Sequence, residues 1–292
     1  MSNLPIERKI IICKSTRSHA LRCLKRVLEQ ALHSTKPVVE AEFRDQLLHE
    51  LRTSAKIYPD GWYEPPPQGV AVLFGTDAEG ENCRVNFGSL REKKQWPRED
   101  VFLDRQKGII YVYLSPIDKK TAIIGDFTVT LYVGHDPEIK KHLITCYKIN
   151  KKIADSIRTG MSFSEISAIS NKLLAEHGLK NEIVCKTSPS FGDLGHLVPG
   201  TGEGWSRQEK EVIESGQWEK VKETISKKRV FVRAGETYHV KPGVIFTIEP
   251  RPTAIGNSKL PMASFHSFFI VHEDGKTELF TGFEGLFGFA GD

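Results

Sequence analysis

Long apolar runs are missing from this chain, and no segment has enough consecutive apolar residues to span a bilayer. The opening "MSNLPIERKIIICKSTRSH" has a four-residue apolar run and no small-residue cleavage signature, so it does not read as a signal peptide. Cysteine is scarce: Cys13, Cys23, Cys83, Cys146 and Cys185 are odd in number and form no C-x-x-C pair. Their spacing suits neither a zinc knuckle nor a disulfide framework, and a reducing cytoplasm is the simplest expectation. A dense basic patch is lacking as well. The 41 Lys and Arg are spread along the chain against 37 Asp and Glu, a pattern that argues against a nucleic-acid partner. With 39% hydrophobic and 27% charged residues in 292, the composition is that of a globular protein able to bury a substantial core.

Leu21, Leu24, Leu28 and Leu32 recur at helical spacing, which predicts a helix over 15–34, and a second is expected over 38–54. "KIYPDGWYEPPPQG" interrupts regular structure with Pro and Gly. Strands are expected at 69–74, 109–115 and 123–134, the last two as a hairpin across "PIDKKTA". Asp136-Pro137 opens a helix running to about Arg158, and Ser162 with Glu165 forms a capping box ahead of another. The charged segment 206–228 reads as an exposed helix or helical insertion, and strands return at 229–233, 244–249 and 264–272. No low-complexity linker divides the chain, so residues 1–292 read as one α+β domain with helices on one side of an antiparallel sheet. The second half repeats the element order of the first, without a matching sequence period.

Four polar residues stand in apolar strand or turn contexts: Asp126 in "IIGDFTVTLY", His196 in "FGDLGHLVPG", Glu249 in "GVIFTIEPRP" and His266 in "ASFHSFFIV". Burying a carboxylate in such a run costs several kcal/mol unless a cation or donors compensate. Each has an ordinary alternative. Asp126 could cap a turn, His196 could brace a glycine-flanked loop, Glu249 could pair with Arg251 or Arg233, and His266 could be a hydrogen-bonded core imidazole. Together, two carboxylates and two imidazoles form a charge-balanced set for one divalent metal.

"KPGVIFTIEPRP" resembles the glutamate-bearing strand of the pita-bread metalloenzymes, the methionine and Xaa-Pro aminopeptidases and creatinase. "GHLVPG" is similar to that family's histidine segment, "IGDFTVTLYVG" to its second-aspartate strand, "RTGMSFSEI" to a helix start common there, and "FIVHEDGKTELFT" to its closing hairpin. The similarity runs from about residue 20 to the end. It implies a pseudo-two-fold curved antiparallel sheet covered by helices, with a metal site at its centre.

The resemblance also implies departures. The family uses two aspartates, one histidine and two glutamates to bind two metals. Its first aspartate lies eleven residues before the second, where this chain has Ser115; Asp118 is close but belongs to the turn. Its last glutamate falls at His266. The remaining set, Asp126, His196, Glu249 and His266, implies a mononuclear site. The family's outer histidines are replaced within "KKQWPRED" and "LVPGTGEGWSRQE", although His239 could approach from elsewhere.

Three functions compete. The first is a mononuclear enzyme of the non-heme iron oxygenase or oxidase type acting on a small molecule, with Fe(II) preferred and Mn(II), Co(II) or Zn(II) as alternatives. The second is a metallo-aminopeptidase or amidohydrolase acting on a short peptide, and the third a non-catalytic binding protein. Trp62 and Tyr63 could line a pocket or simply pack their own surface loop. Ser115 and Trp205 are further candidate substrate contacts, and a homodimer is compatible with the sequence.

Overall fold

The computed structural model describes residues 4–58, 60–63, 67–76, 97–182 and 192–286; Cys83, Cys185 and the first part of "KKQWPRED" lie outside them. Helix α1 (Ile6–His33) packs on α2 (Glu40–Arg52), and both cover a sheet of β2 (Val70–Thr76), β3 (Gly108–Leu114) and β5 (Phe127–Tyr132). Two-residue strands β1 (Ile57–Tyr58) and β4 (Ile117–Asp118) pair beside it. Helices α3 (Pro137–Ser156) and α4 (Phe163–Ala175) follow. Then come β6 (Leu179–Asn181), α5 (Arg207–Ser215) and α6 (Trp218–Lys227). A second sheet, ordered β10-β9-β7, is built from β7 (Val244–Ile248), β9 (Ser267–Val271) and β10 (Thr277–Phe280). β8 (Pro252–Ala254) pairs with β6. No helix among the described residues is long and apolar enough to cross a membrane.

The two sheets meet where the approach to β9 lies along β5. Val129 bridges Phe265, Thr130 N donates to Ser264 O at 3.0 Å, and His266 N donates to Thr128 O at 3.0 Å. On the far side of β7, residues 194–198 continue the ladder: Thr247 N donates to His196 O at 2.8 Å and Glu249 N to Leu194 O at 2.9 Å. Strands β3, β5, β7 and β9 are buried on both faces, so their sequences are continuously apolar except at the centre.

Several boundaries differ from the expectations. Helix α1 begins at Ile6 rather than at residue 15, because Ile6, Ile10 and Cys13 extend the buried stripe one turn after another. The strand expected over 123–134 starts only at Phe127; Ala122 takes φ 55°, and residues 123–126 close the turn instead. His266 precedes β9 rather than lying within it. The strand expected at 229–233 is a single bridge between Phe231 and His196. The neighbouring Gly195, whose carbonyl accepts from Val232 N at 2.8 Å, sits at φ +147°, which breaks the regular ladder. Segment 206–228 is not a wholly exposed helix. It is two helices broken at Gly216, and Ile213, Val221 and Ile225 bury themselves in a core with Tyr58, Trp62 and Trp205. The capping boxes at Ser162/Glu165 and Ser206/Glu209 both form.

Candidate metal centre

Register places the carboxylates and imidazoles. Leu114 pairs with Phe127, so one step further Ser115 stands opposite Asp126. Ile248 pairs with Ser267, so one step further Glu249 stands opposite His266. His196 enters from the strand beside β7, held by Gly195. A Cβ on that glycine would fall 1.9 Å from Thr247 O, so only glycine permits the approach. Four polar residues from four segments thus converge at the centre of the curved sheet.

Asp126, His196 and His266 are buried and offer ligand atoms within 4.8 Å of one another. His196 Nε2 lies 3.4 Å from Asp126 Oδ2 and 3.8 Å from Glu249 Oε1. His266 Nδ1 lies 3.4 Å from Glu249 Oε2. Glu249 therefore touches both imidazoles while standing at the edge of the tighter three-residue cluster. His196 Nδ1 is 3.0 Å from Leu197 O; as the donor in that contact, it leaves Nε2 pointed at the centre, the atom that gives up its proton when a metal binds.

The orphaned atoms test whether this set fits a metal. Both ring nitrogens of His266 and Asp126 Oδ1 are buried without a hydrogen-bond partner, which is costly for polar groups in a protein interior. The 3.4 Å approach of Glu249 to His266 lacks hydrogen-bond alignment, so it does not satisfy the imidazole. Two nitrogen donors and one or two carboxylates, unsatisfied by protein, suit one divalent ion.

The supporting shell is specific. Thr247 Oγ1 accepts from His196 N at 2.7 Å and approaches Glu249 Oε1 at 3.3 Å. Arg251 Nη1 lies 3.7 Å from Glu249 Oε2, and its Nη2 donates to Asp193 O at 2.8 Å. Arg17 is fully buried among Phe127, Phe268, Phe280 and Phe283, and its Nη2 donates to the carbonyl of His266. Burial brings the guanidinium down to about 9, although Asp126 opposes that shift.

Burial and charge set the protonation states. Burial pushes the Asp126 carboxyl up, but His266, His196 and Arg17 together hold it below its usual value. Burial lowers His196, yet Asp126 and Glu249 leave it above the ordinary imidazole value. Glu249 is raised by burial despite His196 and Arg251. His266 is lowered by burial to about 3 and is neutral, the form a metal binds.

The cavity above these residues is lined by Trp62, Tyr63, Tyr111, Tyr113, Arg229 and Phe231, among others, and water can occupy about 50 Å³ of it. That holds an ion and a few waters, not a bulky substrate. A second cavity of about 370 Å³ lies against the same Trp62, Tyr63 and Arg229, with Glu219, Lys222, Glu223 and Ser226.

The other sequence candidates fall elsewhere. Ser115 Oγ donates to Gly69 O at 3.0 Å and packs against Gly61 and Gly69. Trp205 is buried and its Nε1 donates to Thr121 O at 3.0 Å. Asp118 caps its own turn, accepting from Thr121 N at 2.9 Å. His239 is exposed and bridges Ser162. Arg233 pairs with Glu236 at 3.9 Å, so Arg251 is the partner of Glu249. Sequence reasoning did not find Arg17, Tyr111, Tyr113, Asp193 or Arg229. The two tyrosines carried a signal, since residues 111, 113 and 115 alternate onto the face that bears Asp126.

A family model for metallopeptidase family M24 matches residues 117–275. No curated protein matches the chain. Among solved structures, methionine aminopeptidase from Rickettsia prowazekii superposes with a TM-score of 0.61 at 17% identity, covering 94% of this chain and 97% of that one. X-Pro aminopeptidase from Thermotoga maritima MSB8 gives 0.61 at 13% identity, covering 94% and 61%. Prolidase from Pyrococcus horikoshii OT3 gives 0.56 at 16%, covering 96% and 63%. The chain thus spans about three fifths of the last two. At these identities the likeness concerns the fold, and that fold is the curved pita-bread sheet with covering helices expected from the sequence.

Proposed function

Since the chain belongs to metallopeptidase family M24, we propose that it is a metal-dependent enzyme working with one divalent ion rather than two. Asp126, His196 and His266 are the proposed ligands, with Glu249 completing the set from the edge of the cluster. One observation carries this reading. Three buried groups offer ligand atoms within 4.8 Å of one another, two of them, Asp126 and His266, with unpartnered atoms, while Ser115 is turned to Gly69 and offers no carboxylate for a second ion.

The preferred ion is Fe(II), and the substrate a small molecule. Bound by two imidazoles and a carboxylate with open positions, Fe(II) supplies dioxygen and one-electron chemistry. The chain's own residues bind, orient and exclude. Leu197 O holds the His196 tautomer, Thr247 fixes its backbone, and Arg251 steadies Glu249. Trp62, Tyr111 and Tyr113 narrow the cavity and keep bulk water from the ligands. The buried, free thiols of Cys13, Cys23 and Cys146 support a reducing cytoplasmic setting.

A second reading is hydrolysis of a peptide or amide bond. It is favoured by the family match and by structural neighbours that are aminopeptidases and a prolidase. Against it stand the serine at position 115, which offers no carboxylate to a second ion, and the absence, among the described lining residues, of any histidine other than His196. Anaerobic reconstitution with Fe(II), followed by oxygen-uptake measurements over a panel of small organic substrates, tests the choice. Substrate-triggered oxygen consumption supports the first reading. Turnover of dipeptide or Xaa-Pro substrates with Mn(II), Co(II) or Zn(II), without oxygen consumption, overturns it.

A further inference from the structure

Arg229 follows α6 and faces both cavities at once, the small one over the metal ligands and the larger one outside it. Its guanidinium carbon lies 4.9 Å from the Trp62 ring, 5.4 Å from Tyr63 and 5.0 Å from Phe231. Three rings therefore hold the planar group in place before anything binds. Two of those rings also reach the metal centre: Trp62 and Phe231 meet the His196 imidazole edge-on at 5.6 and 6.4 Å. Arg229 stands one aromatic layer from a proposed ligand.

Among the described residues no side chain neutralises the cation. Its Nε donates to Ser226 O at 3.3 Å, and among the described residues no carboxylate reaches it. The outer cavity does contain acids, but they are already paired. Glu219 binds Lys222 at 2.9 Å and Glu223 binds Lys227 at 2.6 Å. Asp193 and Glu249, on the inner side, face Arg251. A pre-oriented guanidinium with its fork of N–H groups free, at the neck between a reaction cavity and a wider vestibule, matches an oxyanion in two-point geometry.

We infer that Arg229 binds an oxyanion, a carboxylate or phosphate, at the end of the substrate remote from the metal ligands, so that the substrate is a small anionic molecule. The inference rests on the proposed metal site for the position of the reacting end, but the anion contact itself is made by Arg229 alone. Trp62, Tyr63 and Phe231 are positioning residues that fix the guanidinium plane. The shape of the two cavities gives the ligand its polarity. The reacting group reaches the narrow inner space, and the anionic group stops at the neck.

The test uses the full chain, with metal content measured for each sample, and follows glutarate, neutral glutaramide and inorganic phosphate by calorimetry and Trp62-sensitive fluorescence. Metal-loaded wild type is expected to bind glutarate at least tenfold more tightly than glutaramide. Arg229→Gln is expected to lose that tenfold preference at unchanged metal content, and Arg229→Lys to retain part of it. If Arg229→Gln does not fold, the Arg229→Lys comparison decides by whether the preference shrinks. Tighter binding of phosphate than glutarate assigns the site to phosphate; the reverse order assigns it to carboxylate. A preference lost with Arg229 in metal-depleted protein as well separates the anion site from the metal reading, which fails independently if no metal is taken up. Equal affinity of the amide and the acid, or an unaltered preference in both variants, overturns the inference and leaves Arg229 as packing for the Trp62 loop.

Discussion

His266 Nδ1 lies 3.4 Å from Glu249 Oε2, one register step beyond the last ladder pair of β7 and β9, and neither nitrogen of the imidazole is hydrogen-bonded. A core histidine would have been satisfied by a carbonyl or hydroxyl in such a place, because leaving two buried polar atoms unpaired costs several kcal/mol. His266→Ala is therefore expected to abolish metal retention while the metal-free variant stays folded, with near-wild-type circular dichroism. Loss of fold with full metal retention would make His266 a packing residue.

The same imidazole sets an acid sensitivity of the metal-free protein. Its folded value, about 3, lies below the unfolded value of about 6.5, so the unfolded chain takes up the proton first. The neutral, folded form is favoured above pH 6.5, and His266 withdraws stability progressively as the pH falls from 6.5 towards 3. Denaturant titrations of metal-free wild type and His266→Gln across that range should show a steeper acid loss in the wild type. Parallel curves would contradict the assignment.

His196 behaves in the opposite sense. With its value raised by Asp126 and Glu249 against the effect of burial, it carries a proton in metal-free protein up to and beyond the ordinary imidazole range. A metal must expel that proton. Metal uptake at or below the ordinary imidazole value should release a proton from His196, measured by calorimetry in buffers of different ionisation enthalpy. Affinity should fall about tenfold per pH unit below the His196 value. Uptake without proton release would place the ion elsewhere.

Much of this arrangement could be read from residue types and spacing. Asp126, His196, Glu249 and His266 were conspicuous because each interrupts an apolar run; the strands beside them form shorter than expected, leaving Asp126, Glu249 and His266 one residue outside β5, β7 and β9. The supporting residues were hidden for a physical reason. Arg17 sits on a helix whose leucine periodicity says nothing of a guanidinium turned inward onto four phenylalanines. Arg229 gains its environment from residues 62 and 63, distant in sequence and without a periodic relation to it. The resemblance marks Ser115 as the position of a lost carboxylate, and its hydrogen bond to Gly69 follows from the loop's path, which Pro- and Gly-rich sequence leaves open.

That hydrogen bond gives a further prediction. Ser115→Asp restores the residue type but places a carboxylate against the Gly69 carbonyl, where a Cβ on Gly69 would already fall 2.4 Å from Ser115 Oγ. The variant should be about 1–3 kcal/mol less stable, by thermal or denaturant unfolding, and should bind no additional metal. A second ion per chain at undiminished stability would contradict the description of this loop.

Thr247 tests the supporting shell without removing a ligand. Thr247→Val deletes the hydroxyl that accepts from His196 N and approaches Glu249. Loss of such a contact is expected to weaken metal affinity about 10- to 100-fold, measured by competition with a chelator, while the fold is kept. An unchanged affinity would remove Thr247 from the account.

The most direct measurement is the metal-to-protein ratio after anaerobic reconstitution with Fe(II) and removal of excess metal, determined by elemental analysis on wild type and His266→Ala. One ion per wild-type chain and almost none in the variant is the predicted result. Two ions per wild-type chain, or an equal ratio in both proteins, would contradict a single-metal centre built on Asp126, His196 and His266.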